Sequence, residues 1–230
     1  MQLACSYARR AQGQSWPNPA VGCVLVSADN ILLAVGHTQK GGRPHAEADA
    51  LKALEQSGNS AALKGGTAYV TLEPCNHYGR TPPCTEALLW SGVQHVIVAH
   101  PDPNPTVRGK GFQVLRDAGI TVESGLLEQQ AAEQMKPFLH WCEHRRPIVT
   151  VKLAVDANGS VDDRSEAPQR FTSEACLDEV HRLRMDCDAI LVGAETVERD
   201  NPSLTVRRIE TERQPLRVIL DPQERTNPNA

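Results

Sequence analysis

His45-Ala46-Glu47, Pro74-Cys75 and Pro83-Cys84 place the tightest constraint on this 230-residue chain. One imidazole and two thiols, far apart along the chain, are of the kind that share a metal ion. Three such ligands leave a tetrahedral ion one position short, and a zinc held that way keeps the fourth for water, the mark of a catalytic rather than a structural site. Zinc lowers the pKa of bound water toward neutrality, so a nucleophile is available at working pH. Glu47 lies two residues beyond His45 and has the chemistry to carry that water's protons. Any fold must then bring residues 45, 75 and 84 to one point. Plainer readings compete: an isolated His-x-Glu is common, Cys75 and Cys84 could be core thiols, and His77 could close a structural site as a fourth ligand. The order of the three residues, with a proline before each, favours the open site.

The length suits one complete domain and part of another. At 40% hydrophobic and 23% charged residues, a globular core is expected. A net charge of -4 offers no electrostatic attraction for nucleic acid. No apolar run approaches ~18 residues and Met1 begins no signal-peptide pattern, so the expectation is a soluble cytoplasmic protein with no membrane partner. A homo-oligomer is compatible with all of this. Of seven cysteines, Cys75 and Cys84 read as ligands, and Cys5, Cys23, Cys142, Cys176 and Cys187 as small buried hydrophobes.

Periodicity predicts a helix over Leu3–Ala11, a buried strand over Val21–Ser27 and its hairpin partner over Ile31–Val35, turned at Asp29-Asn30. A loop then delivers His45 to a helix striped by Ala46, Ala50, Leu51 and Leu54. Residues two apart do not share a helix face, so Glu47 can assist His45 only if His45 sits at the very start. Pro44 and Pro83 suit helix starts. Two helix N-termini then point at the metal, and their partial positive charge is expected to favour thiolate at Cys84. Thr67–Leu72 reads as a strand ending at Glu73-Pro74-Cys75, Cys84–Leu89 as the opening of a helix, and Val93–Ala99 as a strand. Three alternate prolines make 101–105 a rigid loop. Gly111–Ala118 is predicted helical, Ile120–Glu123 a strand and Leu126–Glu143 one long helix. Alternation of this kind is an α/β layered domain, with its site at the strands' carboxyl ends.

Arg145-Arg146-Pro147 reads as a boundary, giving domains 1–145 and 146–230. Beyond it, Ile148–Val155 has a β pattern and Asn158-Gly159 a tight-turn signal. A helix runs from Thr172-Ser173-Glu174 through Met185. Ala189–Val192 and Leu216–Leu220 read as strands, with a turn at Asp200-Asn201-Pro202.

Pro17-Asn18-Pro19-Ala20-Val21-Gly22-Cys23-Val24, His45-Ala46-Glu47, the segment 71–84, Asp102-Pro103-Asn104-Pro105 and Gly109-Lys110-Gly111 resemble the bifunctional riboflavin-biosynthesis deaminase–reductases. Eight residues separate Cys75 from Cys84, whereas cytidine, tRNA-adenosine and editing deaminases usually have two there. The resemblance implies a cytidine-deaminase-like three-layer α/β/α domain followed by a partial dihydrofolate-reductase-like α/β domain. It implies Zn²⁺-dependent hydrolytic deamination of a small pyrimidine nucleotide, 2,5-diamino-6-(5-phosphoribosylamino)pyrimidin-4-one, to 5-amino-6-(5-phosphoribosylamino)uracil and ammonia. His45, Cys75 and Cys84 would hold the metal and Glu47 would be catalytic. By match to the motif, Asn18, His37, His77, Asp102 and Asn104 would line the pocket, and Arg80 is a candidate for the phosphate. Local turn bonding is the alternative for Asn18, Asp102 and Asn104. His37 stands one residue further from His45 than the family pattern has it.

The resemblance also implies an NADPH-dependent reductase in the second half. Ala154, Thr196 and Asp200 stand at motif positions on the cofactor side, Arg184, Leu204 and Arg207 on the substrate side, and Lys152 at a position for one or the other. Departures accumulate there. Asp156-Ala157-Asn158-Gly159 replaces the usual Ser-Leu-Asp-Gly, Pro168 and Arg170 stand where serine and tryptophan contact ligand, and Glu195 replaces a small residue near phosphate. A carboxylate beside a phosphate repels it. About 80 residues are too few for the complete reductase fold, so the expectation is a working deaminase with a truncated or impaired reductase. A catalytically silent scaffold and a nucleic-acid base deaminase are the competing classes; the intact ligand set opposes the first, and the acidic balance and long inter-cysteine gap the second.

Overall fold

The apolar run after Pro19 becomes the middle of a sheet in the computed structural model, which describes residues 1–79, 82–104, 107–162, 172–211 and 213–227. The chain divides into two units, Met1–Ile148 and Val149–Ala230.

In the first unit, β1 (Gly22–Val26), β2 (Leu32–His37), β3 (Thr67–Leu72), β4 (His95–His100) and β5 (Thr121–Ser124) form one sheet in the order β2-β1-β3-β4-β5. β1 runs antiparallel to both neighbours, while β3, β4 and β5 are parallel. The hairpin needs only a tight turn, with Asn30 at φ 62°, whereas each parallel pair needs a helical crossover. Ile31 stays in that turn because its N–H and C=O are both bonded to Ser27, so β2 begins one residue later than predicted.

The helices are α1 (Gln2–Ala11), α2 (Ala46–Gln56), α3 (Cys84–Ser91), α4 (Lys110–Asp117), α5 (Glu128–Gln134) and α6 (Lys136–His144). Gly22 abuts the backbone of α1 and Gly36 that of α2. Gly22 pairs across the hairpin with His37, and Cys23 with Gly36. Cross-strand partners share a face and successive residues alternate, so α1 and α2 lie on opposite faces and the unit has three layers. Leu25, Val70, Val96 and Val98 of the sheet are fully buried with Leu54, Leu88 and Leu115 of the helices. A Cβ on Gly36 would lie 2.4 Å from Ala50 N and 2.5 Å from Ala46 O. Gly36→Ala is therefore expected to push α2 off the sheet and cost about 1–3 kcal/mol, read from the denaturant midpoint.

The predicted single helix over Leu126–Glu143 is two. Pro137 has no N–H for the carbonyl of Glu133, and its ring crowds that oxygen. The chain leaves helical geometry at Met135 (φ −105°, ψ 10°) and restarts as α6.

The second unit contains α7 (Glu174–Asp186), β6 (Ala189–Gly193), α8 (Ala194–Asp200) and β7 (Leu216–Leu220). The Ser173 hydroxyl caps α7 by accepting from Cys176 N–H. β6 and β7 pair in parallel, Ala189 opposite Leu216. The strand predicted over Ile148–Val155 does not form: the segment has no ladder among the described residues, and Val149 and Val151 are 79% and 77% exposed. An alternating pattern makes a strand only where a neighbour's backbone lies alongside it, and none lies alongside this segment among the described residues. Asn158-Gly159 is a tight turn as predicted, held by Asp156 Oδ1, which accepts from Asn158 and Ser160 N–H, but it joins no two strands. The expectation of five buried cysteines holds for Cys5 and Cys23; Cys142 and Cys187 are half-buried and Cys176 is exposed. Pro168 and Arg170 lie outside the described residues.

Candidate metal centre

His45 ends the loop after β2 as the cap residue of α2, in extended geometry (φ −69°, ψ 162°). Its ring is thus free of the helix surface, and Glu47, in the first turn, can share a site with it despite the two-residue spacing. Pro83 caps α3 in the same way, so Cys84 is the first helical residue. Cys75 follows β3, with Glu73 and Pro74 between. The three ligand atoms lie within 4.8 Å of one another. His45 Nδ1 is 3.6 Å from Cys75 Sγ and 3.4 Å from Cys84 Sγ. A nitrogen at about 2.05 Å and a sulfur at about 2.3 Å from a tetrahedral zinc are themselves about 3.6 Å apart. The donor set and its spacing fit zinc. His77 is exposed and is not part of this group, so among the described residues the cluster has three members, not four.

The thiols differ in charge. Cys75 is held down to about 4, first by the hydrogen bond from Cys84 and then by His45, against the opposing effect of burial. Cys84 is pushed well up, because it gives its hydrogen bond to Cys75 and is buried beside Glu47. The N–H at the start of α3 points to Cys75 Sγ at 3.3 Å, so the helix terminus serves the neighbouring sulfur rather than its own. His45 is raised, chiefly by its hydrogen bond to Cys75. Two of the three ligands therefore hold protons more tightly than usual, and zinc must displace them. Apparent zinc affinity is expected to rise with pH and proton release to accompany binding, measurable by chelator competition and by calorimetry in buffers of different ionisation enthalpy.

Glu47 is 4% exposed. Burial is the main cause raising its pKa, with the charge of Cys75 adding to it, while its own backbone N–H, His45 and Cys84 oppose the rise. Asn18 Nδ2 donates to Gly42 O at 2.8 Å and lies 3.3 Å from His45 Nε2. Gly42 (φ 82°) permits this, since a Cβ there would sit 2.7 Å from the Asn18 amide. Asp102 Oδ1 accepts from Asn104 N–H at 2.8 Å. The Asp102 carboxyl is raised mainly by burial, and the charges of Glu73, His77 and Cys75 also reach it, which puts it near the centre. His37 is held elsewhere: its N–H donates to Asp49 Oδ2, its Nδ1 is 2.7 Å from Gln39 Nε2, and its ring faces Tyr7 on the α1 side of the sheet. Nothing in the sequence reading pointed to Asp49 and Gln39 as its holders. Arg80 lies outside the described residues.

Residues 1–100 match the family described as cytidine and deoxycytidylate deaminase zinc-binding region, and residues 147–230 the RibD C-terminal domain. Riboflavin biosynthesis protein RibD of Aquifex aeolicus is 45% identical over 223 residues, 97% of this chain and 61% of that protein. RibD of Bacillus amyloliquefaciens is 46% identical over 96% of this chain and 58% of its own length. The solved structure of Acinetobacter baumannii RibD superposes with a TM-score of 0.90 at 43% identity, covering 98% of this chain and 63% of that one. Over nearly its whole length this chain is similar to RibD proteins. It spans about three-fifths of the curated RibD relatives it matches. Its first unit is cytidine-deaminase-like and carries the zinc-binding region; its second is a partial RibD reductase-like α/β unit, the part of RibD that implies NADPH.

Of the RibD reductase candidates, Thr196 and Asp200 share α8, one turn apart, while Lys152 and Ala154 belong to the unpaired segment 149–155. The segment carrying Leu204 (φ 54°) and Arg207 is tied to α7: Arg184 Nη1 donates to Thr205 O, and Arg207 N–H donates to Nδ1 of the buried His181. Glu195 stands exposed in the first turn of α8. At that end of a helix a carboxylate is favoured, so Glu195 is stable there. Among the described residues no helix is long and apolar enough to cross a membrane.

Proposed function

We propose that this chain catalyses the zinc-dependent hydrolytic deamination of 2,5-diamino-6-(5-phosphoribosylamino)pyrimidin-4-one, releasing ammonia, in the cytoplasm. Residues 1–145 form the deaminase and 146–230 the reductase-like part. The observation that carries the reading is a His-Cys-Cys triangle at zinc spacing with one buried carboxyl beside it. Bound zinc supplies Lewis acidity that lowers the pKa of a water ligand. His45, Cys75 and Cys84 would hold it. Glu47 would take one proton from the attacking water and give it to a ring nitrogen as the oxygen adds to the amino-bearing carbon. It would then take the remaining hydroxyl proton and give it to the amine, which leaves as ammonia as the carbonyl forms. Its buried setting keeps bulk water from exchanging those protons. Asn18, at contact distance from His45, offers both a donor and an acceptor to the pyrimidinone edge. Asp102 and Asn104 close the pocket from the loop after β4, and His77 from the loop after Cys75. Ammonia release from the diaminopyrimidine phosphate, abolished by chelator and restored by zinc, is the test; zinc-loaded protein that releases none would end the proposal.

For the second unit, Ala154, Thr196 and Asp200 would face NADPH, and Arg184, Leu204 and Arg207 the ribosyl substrate. With Glu195 at the head of α8, NADPH is expected to bind weakly, and Glu195→Ala to tighten it. Fluorescence titration with NADPH checks both; tight binding by the unaltered chain would contradict the first.

A further inference from the structure

Glu73, the residue before Pro74-Cys75, is 3% exposed. Its Oε2 accepts from the backbone N–H of Asp102 at 3.1 Å and of Gly109 at 3.0 Å, and its Oε1 from Gly111 N–H at 3.0 Å. All three donors lie on the segment between β4 and the first turn of α4. A carboxylate suits them because it only accepts, on two oxygens. The same segment is pressed against the ligand strand: a Cβ on Gly111 would lie 2.4 Å from Pro74 O. Glu73 N–H also donates to His100 O at the end of β4. One side chain thus ties the residue next to a metal ligand to the loop that carries Asp102 and Asn104.

We propose that Glu73 is a positioning residue, whose carboxylate holds Asp102, Gly109 and Gly111 against Pro74-Cys75 so that Asp102 and Asn104 face the metal centre. The part of this that concerns substrate rests on the deaminase reading above. Glu73→Gln would keep one accepting oxygen and turn an amide NH2, itself a donor, toward at least one N–H. Asp102 and Asn104 would lose their fixed distance to the metal, while the three ligands would not.

The test uses the full zinc-loaded chain. Hydrogen exchange of unaltered protein is expected to show the amides of Asp102, Gly109 and Gly111 protected, although two of them lie in a loop. In Glu73→Gln these amides are expected to exchange about tenfold faster, the equivalent of about 1.4 kcal/mol, while those of β1 and β3 keep their rates and zinc stays at one per chain. KM for ammonia release is expected to rise about tenfold with kcat within about threefold. Glu73→Asp, which keeps the charge but draws it back by one methylene, is expected to recover part of both effects. Unprotected amides in the unaltered chain would overturn the clamp even if Glu73→Gln fails to fold. So would unchanged exchange and KM in the variant, or a uniform loosening of every core amide. If the unaltered chain releases no ammonia, the deaminase reading fails, and the exchange measurements still decide the clamp.

Discussion

Glu47→Gln is expected to lower ammonia release by about 10²–10⁴-fold while leaving one zinc per chain. The substitution preserves size and one accepting oxygen and removes only the ability to take up and return a proton. Glu47 is not among the three ligand residues, so metal content should not follow activity down. It is buried beside Cys75 and Cys84, where no bulk water can substitute as base. Glu55, further along the same helix and exposed, is the control: Glu55→Gln should turn over at close to the unaltered rate. Measured together, zinc content and initial rate separate the proton-carrying role from a merely structural one. A Glu47→Gln protein that works within a few-fold of the parent would remove Glu47 from the mechanism.

The parts of this site that could be read from the sequence are those written in side chains at element ends. Pro44 and Pro83 mark helix starts because they cannot sit deeper, and they deliver His45 and Cys84 to the ends of α2 and α3. Cys75 follows a β-branched strand, so the sheet itself brings it to the same edge. What escaped are relations made by backbone groups, which no residue letter announces. The N–H of Cys84 serves Cys75, and three amides from another segment converge on Glu73, which the sequence shows only as the residue after a strand. The break at Met135 was in principle visible, since Pro137 removes a helical donor. The segment 149–155 shows the opposite failure: its alternation is real, but a strand is a property of a pair, and no neighbour lies alongside it among the described residues.

Cys84→Ala is expected to lose stoichiometric zinc and, with it, ammonia release down to background. Three donors already leave a tetrahedral ion with one position open; two leave it half-coordinated by protein, and the His45–Cys75 pair is a much weaker chelate. The loss should reach stability as well. A ligand that binds only the folded chain contributes about 2.7 kcal/mol at a hundredfold excess over its dissociation constant. Zinc should therefore raise the thermal midpoint of the parent and leave that of Cys84→Ala unmoved, and chelator should bring the parent down toward the variant. Cys84 is itself buried, so some of its effect on the midpoint comes from lost packing; the response to added zinc, not the midpoint alone, isolates the metal. Cys142→Ala, on half-buried α6, removes a thiol outside the cluster and should keep both zinc and its stabilisation. If Cys84→Ala bound zinc as the parent does and were stabilised by it equally, the triangle of His45, Cys75 and Cys84 would not be the metal's seat, and the chemistry assigned to Glu47 would lose its nucleophile.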